Sequence, residues 1–592
     1  MNETKRHQLT NANIQEKSQL LWNIADTIRG LYKPHEYGDV ILPFTVIKRF
    51  HDTLLPTRQA VLDELEKRKN ISMKDSFLRR ASGHVFYNTS PYTFDMLLAD
   101  SENIESNFRD YLSGFSDNVQ DVLSNFEMDT QVTKLAKNGK LFQVIQDFNT
   151  DKGYMGADKI SSTDMGYIFE DLVKRFSESY NEDAGAHFTS RDIIYLMTDI
   201  LIAEDKEILE AEGVAKTVYD QTMGTSQMLS AMQERLTLLD ADAEVITFGQ
   251  ELNAKTFAIA KADTIIRGGN PDNMHLGNTL TNDKFAGYAF DYVISNPPFG
   301  MDWKSDYPEV EKEYKKGANG RFGPGLPKKS DGQLLFMLNG ISKLKDNGRM
   351  AIIHNGSALF SGAAGSGESE IRRYVIENDW LDAIIQLPNG VFYNTGISTY
   401  VWIIDKDKRP HRQGRVQLID ASNMYENRRK NIGSKRVDIT EDCRNVIVKA
   451  YGEFLNKVYN LGDRTAECKV FDNLDFGFNK VTIESPLKDE EGNPILKNKK
   501  AQPDASLRDT EDIPLTDDID AYFEREIKPF SPDAWIDKTK TKVAYEIPFT
   551  RLFYKYVAPE NTEDIALKIK VLEESIIRSF ERLSGQDVKV DD

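Results

Sequence analysis

Asn296-Pro297-Pro298-Phe299 constrains this chain more than any other short stretch. It follows Phe290-Asp291-Tyr292-Val293-Ile294-Ser295, an apolar run that reads as a buried strand. Neither proline has an N–H to donate, so a sheet ladder cannot continue through them. The strand therefore stops at Asn296, and the chain turns stiffly. A primary amide and an aromatic ring are left at the strand's carboxyl end, the edge where open α/β sheets bind ligands.

Taken alone, the tetrapeptide is either a rigid corner or a site for the exocyclic amino group of a planar base. The second reading has a chemical basis. Such an amine on adenine or cytosine is a poor nucleophile, because its lone pair is delocalised into the ring. The Asn296 side-chain oxygen and the Pro297 carbonyl can both accept from that NH2. Two acceptors draw the nitrogen toward tetrahedral geometry and free the lone pair. Phe299 offers a flat face on which an extruded base can stack.

Upstream residues favour the site over the corner. Lys216-Thr217-Val218-Tyr219 reads as a first strand ending in Asp220, followed by the turn Gln221 to Ser226 and a helix opening at Gln227. Strand, tight turn and helix N-terminus let a backbone approach a ligand closely. Glu244 to Phe248 reads as a second strand running into Glu251, whose carboxylate can take both ribose hydroxyls. A third strand end carries Gly277-Asn278-Thr279-Leu280, and Asn296 ends the fourth. Each end alone is equally an ordinary solvated loop; four in succession point to a nucleotide-type cofactor pocket.

With these motifs the chain resembles the modification (methyltransferase) subunits of type I restriction-modification systems, within the N6-adenine DNA methyltransferases. The resemblance begins at Leu21 to Asp26 and Tyr37 to Pro43. It continues through Met165 to Glu170 and Ala184 to Arg191, and after Phe299 through Gly348 to Ile353 and Phe392 to Ile397. It implies an α/β fold: a Rossmann-like seven-stranded methyltransferase sheet, an all-helical N-terminal domain before it and a helical C-terminal tail. The implied regions are 1–150 (helical), 151–480 (methyltransferase) and 481–592 (charged insert and helical region for partner docking).

The resemblance also implies roles. Ala186, His187, Phe188, Thr189, Ser190 and Arg191 would line the methionine end of S-adenosyl-L-methionine. Asp220, Gly224, Thr225 and Ser226 would form the first cofactor turn, Glu251 would bind the ribose, and Asn278 would lie near the cofactor adenine. Asn296, Pro297, Pro298 and Phe299 would hold the target adenine. The implied partners are DNA, a specificity subunit that reads the target and joins two modification subunits, and a restriction or motor subunit. Departures from the family pattern are Gln221 for Pro, Ser226 and Gln227 for glycines, Asn278 for Asp and Ser190 for Pro. A serine fits at 226 if its φ stays negative.

Charge sets a condition on DNA binding. The formal net charge is -19, whereas duplex affinity rests on neutralising phosphates. Either the cations are local or a partner supplies the affinity. Lys312, Lys315, Lys316, Arg321, Lys328 and Lys329 follow the fourth strand; Arg428, Arg429, Lys430, Lys435 and Arg436 form a second cluster. Each is either a phosphate-tracking surface or a solvated loop. There is no room between Asp220 and Asn296 for a target-recognition domain. Cys443 and Cys468 lack metal-ligand spacing, so no metal is expected. No apolar run is long enough for a membrane, and the polar N-terminus lacks a secretory signal, so a cytoplasmic location is expected.

Residues up to about Asp151 read as helical, with Leu20, Leu21, Ile24, Ile28 and Leu31 at helical spacing. From about Gly166 to Lys406 helices and strands alternate, which predicts a mostly parallel sheet. The later strands are Met350 to His354, Leu381 to Leu387 and Tyr400 to Asp405. Ser485 to Asp517, dense in charge and proline, reads as a solvated or disordered insert. Ile565, Ile569, Leu572, Ile576 and Leu583 predict an amphipathic C-terminal helix capped by Asn561 or Thr562. That helix packs either on its own domain or on a specificity subunit.

Three rivals follow from the same residues. One is methylation of another amino group, another a binding subunit that has lost catalysis, with Ser226 and Gln227 as the symptom. The third is a methyltransferase that works alone.

Overall fold

The computed structural model describes residues 16–179, 189–203, 215–239, 243–393, 395–497, 500–556 and 561–584. Residues 1–547 form one compact unit and 548–592 a second.

The N-terminal region is helical, as its spacing predicts. Its central helix, Gly38–Leu54, is buried along nearly its whole length, with Phe44 and Phe50 fully enclosed. The surrounding core reaches past the helical region. It takes in Ala258, Ile259, Ala262 and Ile265 of the helix Ala254–Ile266, which belongs to the α/β region. One apolar cluster thus joins the two regions.

The strands of the α/β region are β1 (Ala215–Asp220), β2 (Glu244–Glu251), β3 (Met274–Leu276), β4 (Phe290–Ser295), β5 (Leu344–Asn355), β6 (Leu381–Gln386) and β7 (Thr399–Asp405). After them come β8 (Arg415–Asp420), the pair β9 (Glu426–Ile432) and β10 (Lys435–Asp438), β11 (Lys457–Leu461) and β12 (Arg464–Asp472). The main sheet runs β11-β12-β8-β6-β7-β5-β4-β1-β2-β3. Strands β3, β2, β1, β4 and β5 are mutually parallel, and β7 enters antiparallel between β5 and β6. β7 is buried at every position, as a strand covered on both faces must be.

The sheet has ten strands, not the seven expected. β6 is not an edge: β8 pairs parallel with it, and β12 and β11 extend the sheet further. Val416, Leu418 and Ile419 of β8 are fully buried, so the extension beyond β6 is part of the core.

β1 lies between β2 and β4, so the connection reverses direction there. A crevice opens at such a point outside the carboxyl ends of the strands. Asp220 ends β1 and Asn296 follows β4, so both lie at its mouth.

Ser485 to Asp517 is largely exposed, as expected, but it is not without structure. β13 (Gly477–Glu484) precedes a short hairpin, β14 (Leu496–Lys497) with β15 (Lys500–Ala501). β16 (Asp509–Pro514) then pairs with β13, which also takes β17 (Trp535–Ile536) and β18 (Lys542–Tyr545). Val481 and Ile513, fully buried, centre a small core of their own. Within the charged stretch Ile513 packs on Val481 of β13, and β16 returns to that strand.

The second unit carries the helix Thr562–Ser584. Asn561 caps it, its side-chain oxygen accepting from Glu563 N at 3.4 Å. Ile565, Ile569, Leu572, Ile576 and Phe580 are all exposed.

Candidate active site

Asn296 is 5% exposed. Its Nδ2 donates to Thr189 Oγ1 at 2.8 Å, while its Oδ1 is buried and has no partner among the described residues. An unmet buried acceptor is costly, and here its orientation is fixed from outside. Thr189 occupies the amide's NH2 and leaves the oxygen facing the crevice as an acceptor. Pro297 is buried; Pro298 and Phe299 are half-buried. The Phe299 ring meets the edge of Phe392, 6.0 Å between centroids and 87° between planes.

The first turn is bound to its neighbours by short hydrogen bonds. Asp220 is fully enclosed, and its carboxylate accepts from Thr222 N at 3.0 Å. Burial, reinforced by the nearby Glu251 carboxylate, pushes its pKa up to about 8 despite that bond. Thr222 Oγ1 and Ser295 Oγ lie 2.9 Å apart, linking the ends of β1 and β4. Gln221 points away from the crevice. Its Nε2 donates to Phe336 O at 2.9 Å and its Oε1 accepts from Asn339 Nδ2 at 2.7 Å. The departure from Pro thus fastens the turn to the helix Gln333–Ser342.

Gly224 has φ +54° and its N–H donates to Glu251 Oε2 at 3.0 Å. Thr225 lines a small cavity with Gln227, Ser230 and Asp263. Ser226 has φ +69°, so the expectation of negative φ fails there. The tight turn demands the left-handed conformation, and its N–H donates to Met223 O at 2.7 Å. A non-glycine residue holds that conformation at a cost of roughly 1–2 kcal/mol.

Glu251 ends β2. Its Oε1 accepts from Asn253 N at 2.8 Å and its Oε2 from Gly224 N, while burial raises its pKa. Each carboxylate oxygen keeps further lone pairs, which suit a vicinal diol. Asn278 is oriented on both sides: its Nδ2 donates to Asp306 Oδ1 at 3.0 Å and its Oδ1 accepts from Leu280 N at 2.9 Å.

Ala186, His187 and Phe188 lie outside the described residues. Thr189 and Ser190 are buried beside Asn296. Arg191 sends its guanidinium elsewhere, 3.7 Å over the Tyr167 ring and 3.7 Å from Glu234.

Three contributors were not legible in the sequence as site residues. Phe392 is the aromatic neighbour of Phe299. Lys435 is buried, donating to Asp192 Oδ2 at 2.9 Å, Val391 O at 3.0 Å and Ser190 Oγ at 3.2 Å. It belongs to a basic cluster whose other members gave no sign that one of them turns inward. The third is a buried polar network above the post-Phe299 loop. Gln333 Nε2 reaches Asn355 Oδ1 and Ser357 Oγ, Ser357 Oγ donates to Asp331 Oδ2, and Gly332 N donates to Met301 O. Only its charged member, Asp331, would have stood out in the sequence.

The donor set fits a nucleoside cofactor and an amino-bearing base: a half-buried carboxylate for a diol, an oriented amide for a heterocycle, and a free buried acceptor for an NH2. The family described as N-6 DNA Methylase matches residues 161–479, and HsdM N-terminal domain matches residues 17–148. The type I restriction enzyme MjaIX methylase subunit of Methanocaldococcus jannaschii is 24% identical over 464 residues, covering 75% of this chain and 79% of that one. The EcoKI methylase subunit of Escherichia coli is 25% identical, covering 54% of this chain and 59% of its own. The type I methyltransferase subunit from Streptococcus thermophilus shares the fold, with a TM-score of 0.61 at 24% identity over 77% of this chain and 95% of that one. The first match spans more than half of the residues, and the chain belongs to the N-6 DNA methylase family.

Proposed function

We propose that the chain transfers a methyl group from S-adenosylmethionine to N6 of an adenine in DNA, as the modification subunit of a type I restriction-modification complex. The observation that carries this reading is the Asn296 amide, buried, oriented by Thr189 and left with a free acceptor. S-adenosylmethionine, when bound, supplies a sulfonium methyl that needs no further activation. Glu251 holds the ribose, Asn278 the cofactor adenine, and the turn Asp220 to Ser226 the space between. Thr189, Ser190 and Arg191 end the segment from Ala186 that would line the methionine end. Asn296 Oδ1 accepts from one N6–H of the target and Pro297 O from the other, and the proton that N6 sheds on taking the methyl leaves along one of these bonds to solvent. Phe299 stacks on the flipped base. The acceleration comes from positioning and from polarising the amine lone pair.

Division of labour follows the three regions. Residues 151–480 carry the transfer, 1–150 pack on them through one apolar cluster, and the helical end of 481–592 docks partners. The exposed apolar stripe of Thr562–Ser584 supports docking, because a lone helix with such a stripe lacks the packing that stabilises helices in water. A specificity subunit joined by two modification subunits reads the target, and a restriction subunit completes the complex. Among the described residues no helix is long and apolar enough to cross a membrane, and the reaction takes place where the DNA is, in the cytoplasm.

Asn296→Ala tests the reading. Methyl transfer from labelled cofactor should fall by at least about 10²-fold, the effect of deleting one transition-state hydrogen bond. The cofactor dissociation constant should stay at the wild-type value. A variant that methylates DNA at the wild-type rate would overturn the mechanism.

A further inference from the structure

The β9–β10 hairpin carries a concentration of cations beside the active site. It stands outside the ten-stranded sheet and pairs only with itself. Two of its basic residues are spent inside the protein. Arg428 pairs with Asp438, and buried Lys435 with Asp192. Arg429, Lys430 and Arg436 are different: all three are exposed, and none has a carboxylate partner among the described residues.

In the other basic cluster Lys316, Lys328 and Lys329 are exposed too, without a carboxylate ion pair among the described residues and with Lys329 3.3 Å over the Tyr307 ring, but its remaining members are engaged. Lys312 pairs with Glu309 at 2.5 Å and Lys315 with Glu311 at 2.8 Å on the helix Tyr307–Tyr314. Arg321, its side chain 9% exposed, donates to Thr279 O, Leu280 O, Asn339 Oδ1 and Glu313. Its role is structural. In a chain of net charge -19, three uncompensated cations on one hairpin need a reason.

Position supplies it. Ser434 N donates to Tyr393 O and Arg436 N to Gly390 O, both at 2.7 Å. Gly433, at φ +55°, sits so close that a Cβ would lie 2.5 Å from Tyr393 O. The hairpin is thus fastened to the segment that presents Phe392 to Phe299. Through Lys435 it is also fastened to Ser190, next to the Thr189 that holds Asn296. It flanks the pocket on two sides.

We propose that this hairpin grips the sugar–phosphate backbone of DNA beside the extruded adenine, with Arg429, Lys430 and Arg436 as the phosphate contacts. The assignment rests on the chain's acting on DNA. A base cannot leave the stack unless its strand is held next to the pocket, and phosphate contacts supply that hold without reading sequence.

The test uses the full chain assembled with its specificity subunit and a fluorescein-labelled duplex of random sequence. The variant is Arg429→Gln, Lys430→Gln, Arg436→Gln; being exposed, these positions leave the fold intact. The control is Lys497→Gln, Lys500→Gln, Lys538→Gln, three exposed lysines of the C-terminal region. Dissociation constants are measured across a salt series. Each lost phosphate contact lowers the log–log salt slope by about 0.9, so the hairpin variant should lose about 2 to 3 for each modification subunit in the complex and the control nothing. S-adenosylmethionine titration should be unchanged in both. If the wild-type complex methylates DNA while the hairpin variant keeps the full slope, or the control loses as much, the assignment falls and the function stands. If the wild-type complex neither binds duplex nor methylates it, both fall.

Discussion

Asp220 at the end of β1 and Ser226 in the turn after it each cost the fold stability, for different reasons. Asp220 is buried without a cation, and its pKa stands at about 8 against about 3.9 for an unfolded aspartate. Below about pH 4 both states are protonated and burial of the acid costs little. As pH rises through that window the unfolded chain loses its proton while the folded one keeps it, so stability falls, and above pH 8 the full cost is present. Asp220→Asn should therefore melt higher than wild type near pH 8, with the gap closing toward about pH 4. A gap that is the same at both ends would contradict the assigned cause. Ser226 pays in backbone conformation, with φ +69°. Ser226→Gly should raise the unfolding free energy by up to about 1 kcal/mol, the relief of strain less the entropy of glycine; thermal melts check it. The sequence names Asn296 and Glu251 because their residue types and strand-end positions suffice. It does not show φ at 226, because serine and glycine turns differ in backbone, not in polarity. Nor does it show that Thr189 faces Asn296, since 107 residues separate them.

Strands β1 to β5 were legible as elements because each is an apolar run closed by polar or turn residues. β6 and β7 were legible for the same reason. β8, β11 and β12 were not, because they follow a charged stretch and mix polar with apolar positions, as in Arg464–Asp472. Elements are joined here by buried polar links. Asp382 of β6, fully buried, accepts from Tyr451 OH at 2.6 Å and from Arg412. This ties the sheet to the helix Glu441–Glu453. Lys435 is the corresponding link from the β9–β10 hairpin to Asp192 in the first turn of the helix Arg191–Ala203 and to Ser190 just before it. Lys435→Met removes the cation and leaves Asp192 without it, which should cost about 3 kcal/mol. Methyl transfer should fall with it, because Ser190 and Thr189 lose their anchor. A variant with wild-type melting temperature and turnover would show that the hairpin is not held this way.

At the scale of the molecule, net charge alone predicted neither fold nor site; it only set the question of how an acidic protein meets DNA. The described structure answers part of it by engaging three of the six basic residues from Lys312 to Lys329, Lys312 and Lys315 in surface ion pairs and Arg321 inside the protein. Residues 1–547 form a compact unit without the tail. Deleting 557–592 should leave cofactor affinity and melting temperature unchanged and abolish co-purification with the specificity subunit. Retained co-purification would remove the tail from the docking surface. The helix of that tail was legible from spacing alone, but its partner was not, because an apolar stripe says that it is covered and not by what. The central claim is that Asn296 presents the acceptor for N6 of a DNA adenine. Its most direct test is single-molecule sequencing of DNA from cells that express the chain with its specificity subunit, as wild type and as Asn296→Ala. The account predicts N6-methyladenine at one recurring motif with wild type and none with the variant. The same methylation with both, or methylation of cytosine instead, would contradict it.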